Sequence, residues 1–277
     1  MELKKFYTAK NPNTPSKTLA ELAKDESLDI RKAVAGNPNT SPETLAKLAK
    51  EKDKDVCILI AENPNTSPET LTELTKSEGW GIHMAVANNP NTPPESLAEL
   101  AKDKDVCMLI AGNPNTPSET LAELTKSEGW GVHMAVANNP NTPPETLAEL
   151  AKDEDTCMAV ANNLNTPPET LAELAKDEIW VIRMAVAGNP NTPPEVLIKL
   201  AKDEELYVRT KTTENPNYIT LIASLSNLLD EDESDVNEDT VPHTHKEPKE
   251  LLAEKKSANR AENESKHNIS SVDDYIR

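Results

Sequence analysis

Aromatic residues make up only 3% of the 277 residues, with a single phenylalanine, so bulky rings cannot fill the one large core that a chain of this length often builds. No stretch approaches the roughly 18 apolar residues that span a bilayer, and the opening Met-Glu-Leu-Lys-Lys-Phe-Tyr lacks the apolar segment of a secretory signal. A cytoplasmic location is the resulting expectation. Basic charge is also scarce, with 29 Lys and Arg against 48 Asp and Glu, a net charge of -19 and no basic stripe. Nucleic acid and membrane surfaces are therefore poor partners, and a basic protein or peptide is a better one. Catalytic arrangements are absent too: there is no Ser, His and Asp set and no glycine-rich phosphate loop, so no enzymatic activity is expected.

What the chain does have is repetition. Asn-Pro-Asn-Thr begins at Asn11, Asn37, Asn63, Asn89, Asn113, Asn139 and Asn189, and Asn-Leu-Asn-Thr begins at Asn163. Successive starts lie 24 or 26 residues apart, the signature of an array whose units bury their apolar faces against one another. Cys57, Cys107 and Cys157 recur every second repeat. With helices packing about 10 Å apart, they lie too far from one another for the roughly 7 Å separation a disulfide tolerates.

One unit illustrates the pattern. Thr92 is expected to cap a helix by accepting from the Glu95 backbone NH, with Glu95 reaching back and Pro93 in the first turn. The same start recurs at Thr40, Thr66, Thr116, Thr142, Thr166 and Thr192, whereas the first repeat has Lys17 in place of the glutamate. Leu97, Leu100 and Ala101 share one face, and Glu95, Glu99 and Lys102 the other. The second element, Asp105 to Asn113, places Val106, Leu109 and Ile110 at core spacing. It is too short to be stable as an isolated helix. It stops at Gly112, or elsewhere at Asn88, Asn138 and Asn162, types that tolerate a left-handed terminus.

Taken together, Val-x-x-Leu/Ala-Val/Ile-Ala followed by Asn-Pro-Asn-Thr-Pro-x-Glu-x-Leu-x-x-Leu-Ala resembles the leucine-rich repeat variant family, from about Leu3 to Leu229. The resemblance implies an all-α fold, a right-handed solenoid of alternating α-helices and short α or 3-10 helices, without a β-sheet. The founding type carries a cysteine-rich iron-sulfur segment ahead of its repeats. Here the repeats start almost at once and no such cluster precedes them, so no cofactor is expected. The domain reading is a solenoid with terminal caps over residues 1–229 and an acidic, polar tail over residues 230–277, whose few apolar residues cannot offset the entropy of ordering. Within that tail, Lys249 to Arg260 is a candidate for a transient helix.

Three series of positions could carry function. The place after the first core residue of the second element reads Arg31, Cys57, His83, Cys107, His133, Cys157, Arg183 and Arg209, and the family usually has arginine there. Cys57, His83, Cys107, His133 and Cys157 could ligate a soft metal, although a row with one donor per repeat makes a poor cage. The next place reads Ile58, Met84, Met108, Met134, Met158 and Met184, which is either packing between repeats or an adaptable apolar surface. Trp80, Trp130 and Trp180 either cover the ends of their own repeats or anchor a partner. Asn63 to Gly112 and Asn113 to Asn162 are nearly identical blocks, so one duplication also explains the regularity. The asparagines of the repeat phrase are expected to be turn residues whose side chains satisfy backbone groups.

The expectation that follows is a non-enzymatic scaffold for a protein or peptide, docking on Met84, Met108, Met134, Met158, Met184, Trp80, Trp130 and Trp180. The alternative is a soft-metal or thiol-redox protein using the cysteines, histidines and neighbouring methionines.

Overall fold

The computed structural model describes residues 2–127 and 129–232. Within them lie 18 α-helices and no strand. Each repeat contributes a first helix and a second helix, for example Pro68–Leu74 and Trp80–Asn88. Second helices of the 26-residue repeats run to eight or nine residues, as in Leu28–Ala35, Lys54–Glu62, Trp130–Asn138 and Trp180–Gly188. In the 24-residue repeats they shorten to Cys107–Gly112 and Cys157–Asn162, the first preceded by a 3-10 turn at Lys104–Val106. The two missing residues fall in the connection before the second helix, between Leu100 and Val106 in the first case, and the shorter connection turns the first residues of that helix into a 3-10 or simple turn. Glu2–Lys10 opens the array in the place of a second helix, and Pro216–Asp232 is its last helix. The expected tail lies outside the described residues from residue 233 onward.

Helices of two turns do not persist alone in water, so packing must supply their stability. In one repeat Leu45, Leu48, Val56 and Ile60 are fully buried, and the same four places are filled down the array by Leu71, Leu74, Ile82 and Val86 and their counterparts. Each such side chain contributes about 2 kcal/mol relative to exposure. Second helices of successive repeats pack along one another, whereas neighbouring first helices approach far less. The row of second helices is therefore the tightly joined side of the array.

Two expectations about helix ends are corrected. The threonine does not cap the first helix: the Thr92 hydroxyl points backward and donates to the Val86 carbonyl at 2.6 Å, and Pro93 holds the cap position. Buried Thr40, Thr66, Thr116 and Thr166 repeat that bond, tying the end of the preceding second helix to its own turn. Capping moves one residue on where a serine is available, since Ser41 and Ser67 accept from Thr44 and Thr70. The second helices also do not end in a left-handed residue. Asn63, Asn89 and Asn139 follow the helix in extended conformation, with ψ between 125° and 129°. A proline after each of them disfavours the helical region, which is what stops the helix.

The asparagines form a ladder between repeats. Asn37 donates from Nδ2 to the carbonyls of Ala9 and Asn11 in the preceding unit, while its Oδ1 accepts from the Asn39 backbone. Asn63, Asn89, Asn113, Asn139, Asn163 and Asn189 repeat the arrangement. The second asparagine of the phrase adds a further rung, as when Asn91 donates to the Pro64 carbonyl at 2.8 Å. A ninth copy, Asn215-Pro216-Asn217, continues the ladder to Ala187, Asn189 and Pro190. It stands 26 residues after Asn189, so the spacing marks it even though its fourth residue is Tyr218. Among the described residues, every buried side-chain nitrogen and oxygen has a hydrogen-bond partner.

Candidate functional site

The series Arg31 to Arg209 has one structural task. Except at Cys57, each member donates backward to a carbonyl in the connection that follows its first helix. Arg31 reaches Asp25 at 2.8 Å, His83 reaches Ser77 at 2.9 Å, and Arg183 reaches Asp177 at 2.8 Å. The Cys107 and Cys157 thiols approach Ala101 at 3.6 Å and Ala151 at 3.3 Å in the same way. His133 makes its contact with Thr125 at 3.0 Å. Arginine and histidine also reach forward to an acid of the next repeat. Arg183 holds Asp203 through Nε at 2.7 Å and through its terminal nitrogen at 2.9 Å, and His83 Nδ1 lies 3.0 Å from the Asp103 carboxylate. The Arg183 guanidinium holds the Asp203 carboxyl below its usual range. Arginine, histidine and cysteine share this position where each supplies a donor, and Cys57 fills it as a buried packing residue.

The cysteines are free and buried. Burial first, then nearby carboxylates, push the thiols of Cys57, Cys107 and Cys157 up from their ordinary value. Among the described residues, no three His, Cys, Asp or Glu side chains come together as a metal cluster. The soft-metal alternative required such convergence among Cys57, His83, Cys107, His133 and Cys157, and the structure does not bring them together.

The methionine series splits in two. Met84, Met134 and Met184 are half-buried and packed on the core. Met108 and Met158 are exposed by 54% and 51%. The neighbouring repeat explains the latter pair's position. A Cβ on Gly131 would meet the Met108 sulfur at 3.0 Å, and one on Gly81 would meet Ile58 at 2.9 Å, so each glycine opens a notch for the side chain of the repeat before it. Met158 lies instead beside Val181 and Met184 in a groove of about 210 Å³, with Leu164 and Pro190 on its rim.

The tryptophans divide similarly. Trp80 and Trp130 begin their second helices and are 57% and 60% exposed. Trp180 is half-buried and stacks on Tyr207, with ring centroids 5.6 Å apart and planes inclined by 27°. Since Trp80 and Met84 are separated by one helical turn, as are Trp130 and Met134, each pair lies on one helix face. Along the row of second helices, the exposed indoles of Trp80 and Trp130 alternate with the exposed thioethers of Met108 and Met158. A larger groove of about 670 Å³ runs between successive first helices and the connections that follow them, lined by Ala46, Ala49 and Leu74, by Cys57 and Ile82 from the second helices, and by several Lys and Glu side chains. It contains none of the methionines or tryptophans. Nor, among the described residues, is any helix long and apolar enough to cross a membrane.

Known proteins share this repeat. The leucine-rich repeat variant domain matches residues 6–57, 29–79 and 81–137, and the leucine-rich repeat variant matches residues 130–155. A solved structure described as a leucine-rich repeat variant with a novel repetitive protein structural motif is similar at 22% identity. The likeness covers 72% of this chain and 80% of that one, with a TM-score of 0.49. Among curated proteins, none matches. The matched segments together take in residues 6–79 and 81–155, more than half of the chain, and they fall on the helix pairs and asparagine rungs described above. The chain belongs to the leucine-rich repeat variant family and is a helical repeat scaffold.

Proposed function

We propose that the array is a non-enzymatic scaffold that holds a protein or peptide segment against its row of second helices. The observation that carries this reading is the exposure of Trp80, Met108, Trp130 and Met158 along the row of second helices, which pack more closely on one another than the first helices do. Large apolar groups cost solvation when left in water, and aromatic anchors on a preformed surface are where binding energy concentrates. The acidic balance of the chain favours a segment of positive charge.

The test is selection of displayed random peptides on the full chain, with counter-selection on a variant carrying serine at Trp80, Met108, Trp130 and Met158. Peptides that bind the native chain and are lost on the variant support the reading. Failure to enrich any peptide, or enrichment that survives all four substitutions, removes it.

A further inference from the structure

We propose that Trp80 and Trp130 are two copies of one receptor for a cationic side chain, and that the bound segment is a basic peptide with two Arg or Lys residues about 20 Å apart. This inference rests on the binding reading above and names the chemistry of its partner. Three observations carry it.

The first is the frame of each indole. Trp80 lies between Gly79 and Gly81, and Trp130 between Gly129 and Gly131, so no neighbouring side chain in sequence covers either ring. The second is the charge on either side. In the adjacent repeats, the stretch that leads into the core of the second helix carries Asp53 and Asp55, Asp103 and Asp105, and Asp153 and Asp155. Each indole therefore stands in the row between two acidic pairs. Asp53, Asp103 and Asp55 have partners, in the Val56 backbone, His83 and Lys32 respectively. Among the described residues, Asp105 and Asp155 are exposed and make no ion pair. A lysine or arginine stem laid on the indole would direct its charged end toward these carboxylates, combining ring-face attraction with charge complementarity.

The third observation is the spacing. Lys54 holds the tryptophan position in the repeat before Trp80 and Lys104 holds it between Trp80 and Trp130, so a cation would be repelled at these places and accepted two repeats apart; Glu154 holds it after Trp130. The series ends at two sites because Tyr207 stacks on Trp180 and takes the place a guest would fill. Two repeats span about 20 Å by helix packing, and an extended chain advances about 3.3 Å per residue. The two cations thus fall about six positions apart, an even number that points both side chains to the same face of a strand.

Calorimetric titration of the full chain with three synthetic peptides tests this. One carries two arginines about six positions apart, one has them about three apart, and one has a single arginine. The wider pair should bind at least about tenfold more tightly than the other two, through linked occupancy of both sites. Trp80→Ala or Trp130→Ala should reduce it to the single-arginine level with the helical circular dichroism unchanged, and added salt should weaken it. Equal affinities for the three peptides, or indifference to both substitutions, would overturn the inference. Selected peptides that need the face but contain no cation pair would also overturn it and leave the binding reading standing, whereas absence of any selected peptide removes that reading itself.

Discussion

The Nδ2 of Asn63 donates to the carbonyl of Ala35 at 2.7 Å, across 28 residues of sequence and from one repeat to the next. The same nitrogen reaches Asn37 at 2.9 Å, and Oδ1 accepts from Asn65. One buried side chain therefore satisfies three backbone groups in two units, so registry between repeats depends on hydrogen bonds as well as on apolar contact.

Replacing Asn63 with alanine should cost about 2 to 4 kcal/mol, because two buried carbonyls and one NH lose their partner. The Asn11 side chain accepts only from the Asn13 backbone NH of its own turn, so Asn11→Ala should cost about 1 kcal/mol or less. Urea denaturation of both variants checks the difference, and equal costs would count against coupling through the ladder.

Asp203 gives a prediction about pH. Its folded-state carboxyl is held below the ordinary aspartate value of 3.8, chiefly by its bonds to Arg183. A depressed value means that the pair stabilises the fold above pH 3.8 and that this contribution fades as pH falls through the lower folded-state value. Asp203→Asn removes the buried charge partner of Arg183, leaving only the exposed Glu204 carboxylate at 3.6 Å, and should cost about 2 to 3 kcal/mol near neutrality. The melting temperatures of native and variant chains should converge in acid.

The buried thiols bear on the redox alternative. Cys57, Cys107 and Cys157 should react with a disulfide reagent near neutral pH at least about tenfold more slowly in the folded chain than after unfolding in guanidinium. A cysteine that reacts equally fast in both states would restore thiol chemistry as a reading.

Nearest-neighbour stability predicts that removal of residues 113 to 162 leaves a shorter folded array. Gly112 would then precede Asn163, which can take over the bonds of Asn113 to Ala87 and Asn89. Circular dichroism should show a single cooperative unfolding transition. A broad or absent transition would contradict this account.

The architecture was legible because spacing and residue type carried it: the repeat phrase, the Leu97 and Leu100 face and the Val106 and Ile110 face all lie where their periodicity places them. The direction of a hydroxyl was not legible. Thr92 followed by Pro-Pro-Glu suits a helix cap as well as a bond to the previous helix, and only packing of the turn selects the carbonyl of Val86. Nor did the pattern reveal that methionines at equivalent places differ. Met108 projects over the glycine notch at Gly131 and Met158 borders a groove, whereas Met84 packs inward, a distinction set by the facing repeat. Repetition displays what successive units share and hides what their alternation changes.

The most direct measurement compares two double variants, Met108→Lys with Met158→Lys and Met84→Lys with Met134→Lys, by thermal melt and by titration with a peptide selected on the native chain. The exposed pair should leave the melting temperature within about 2 °C of the native value and weaken binding at least about tenfold. The half-buried pair should lower stability by about 1 to 3 kcal/mol. A melt of the exposed pair that falls as far as that of the half-buried pair, or binding that survives substitution of Met108 and Met158, would contradict the assignment of this face as the docking surface.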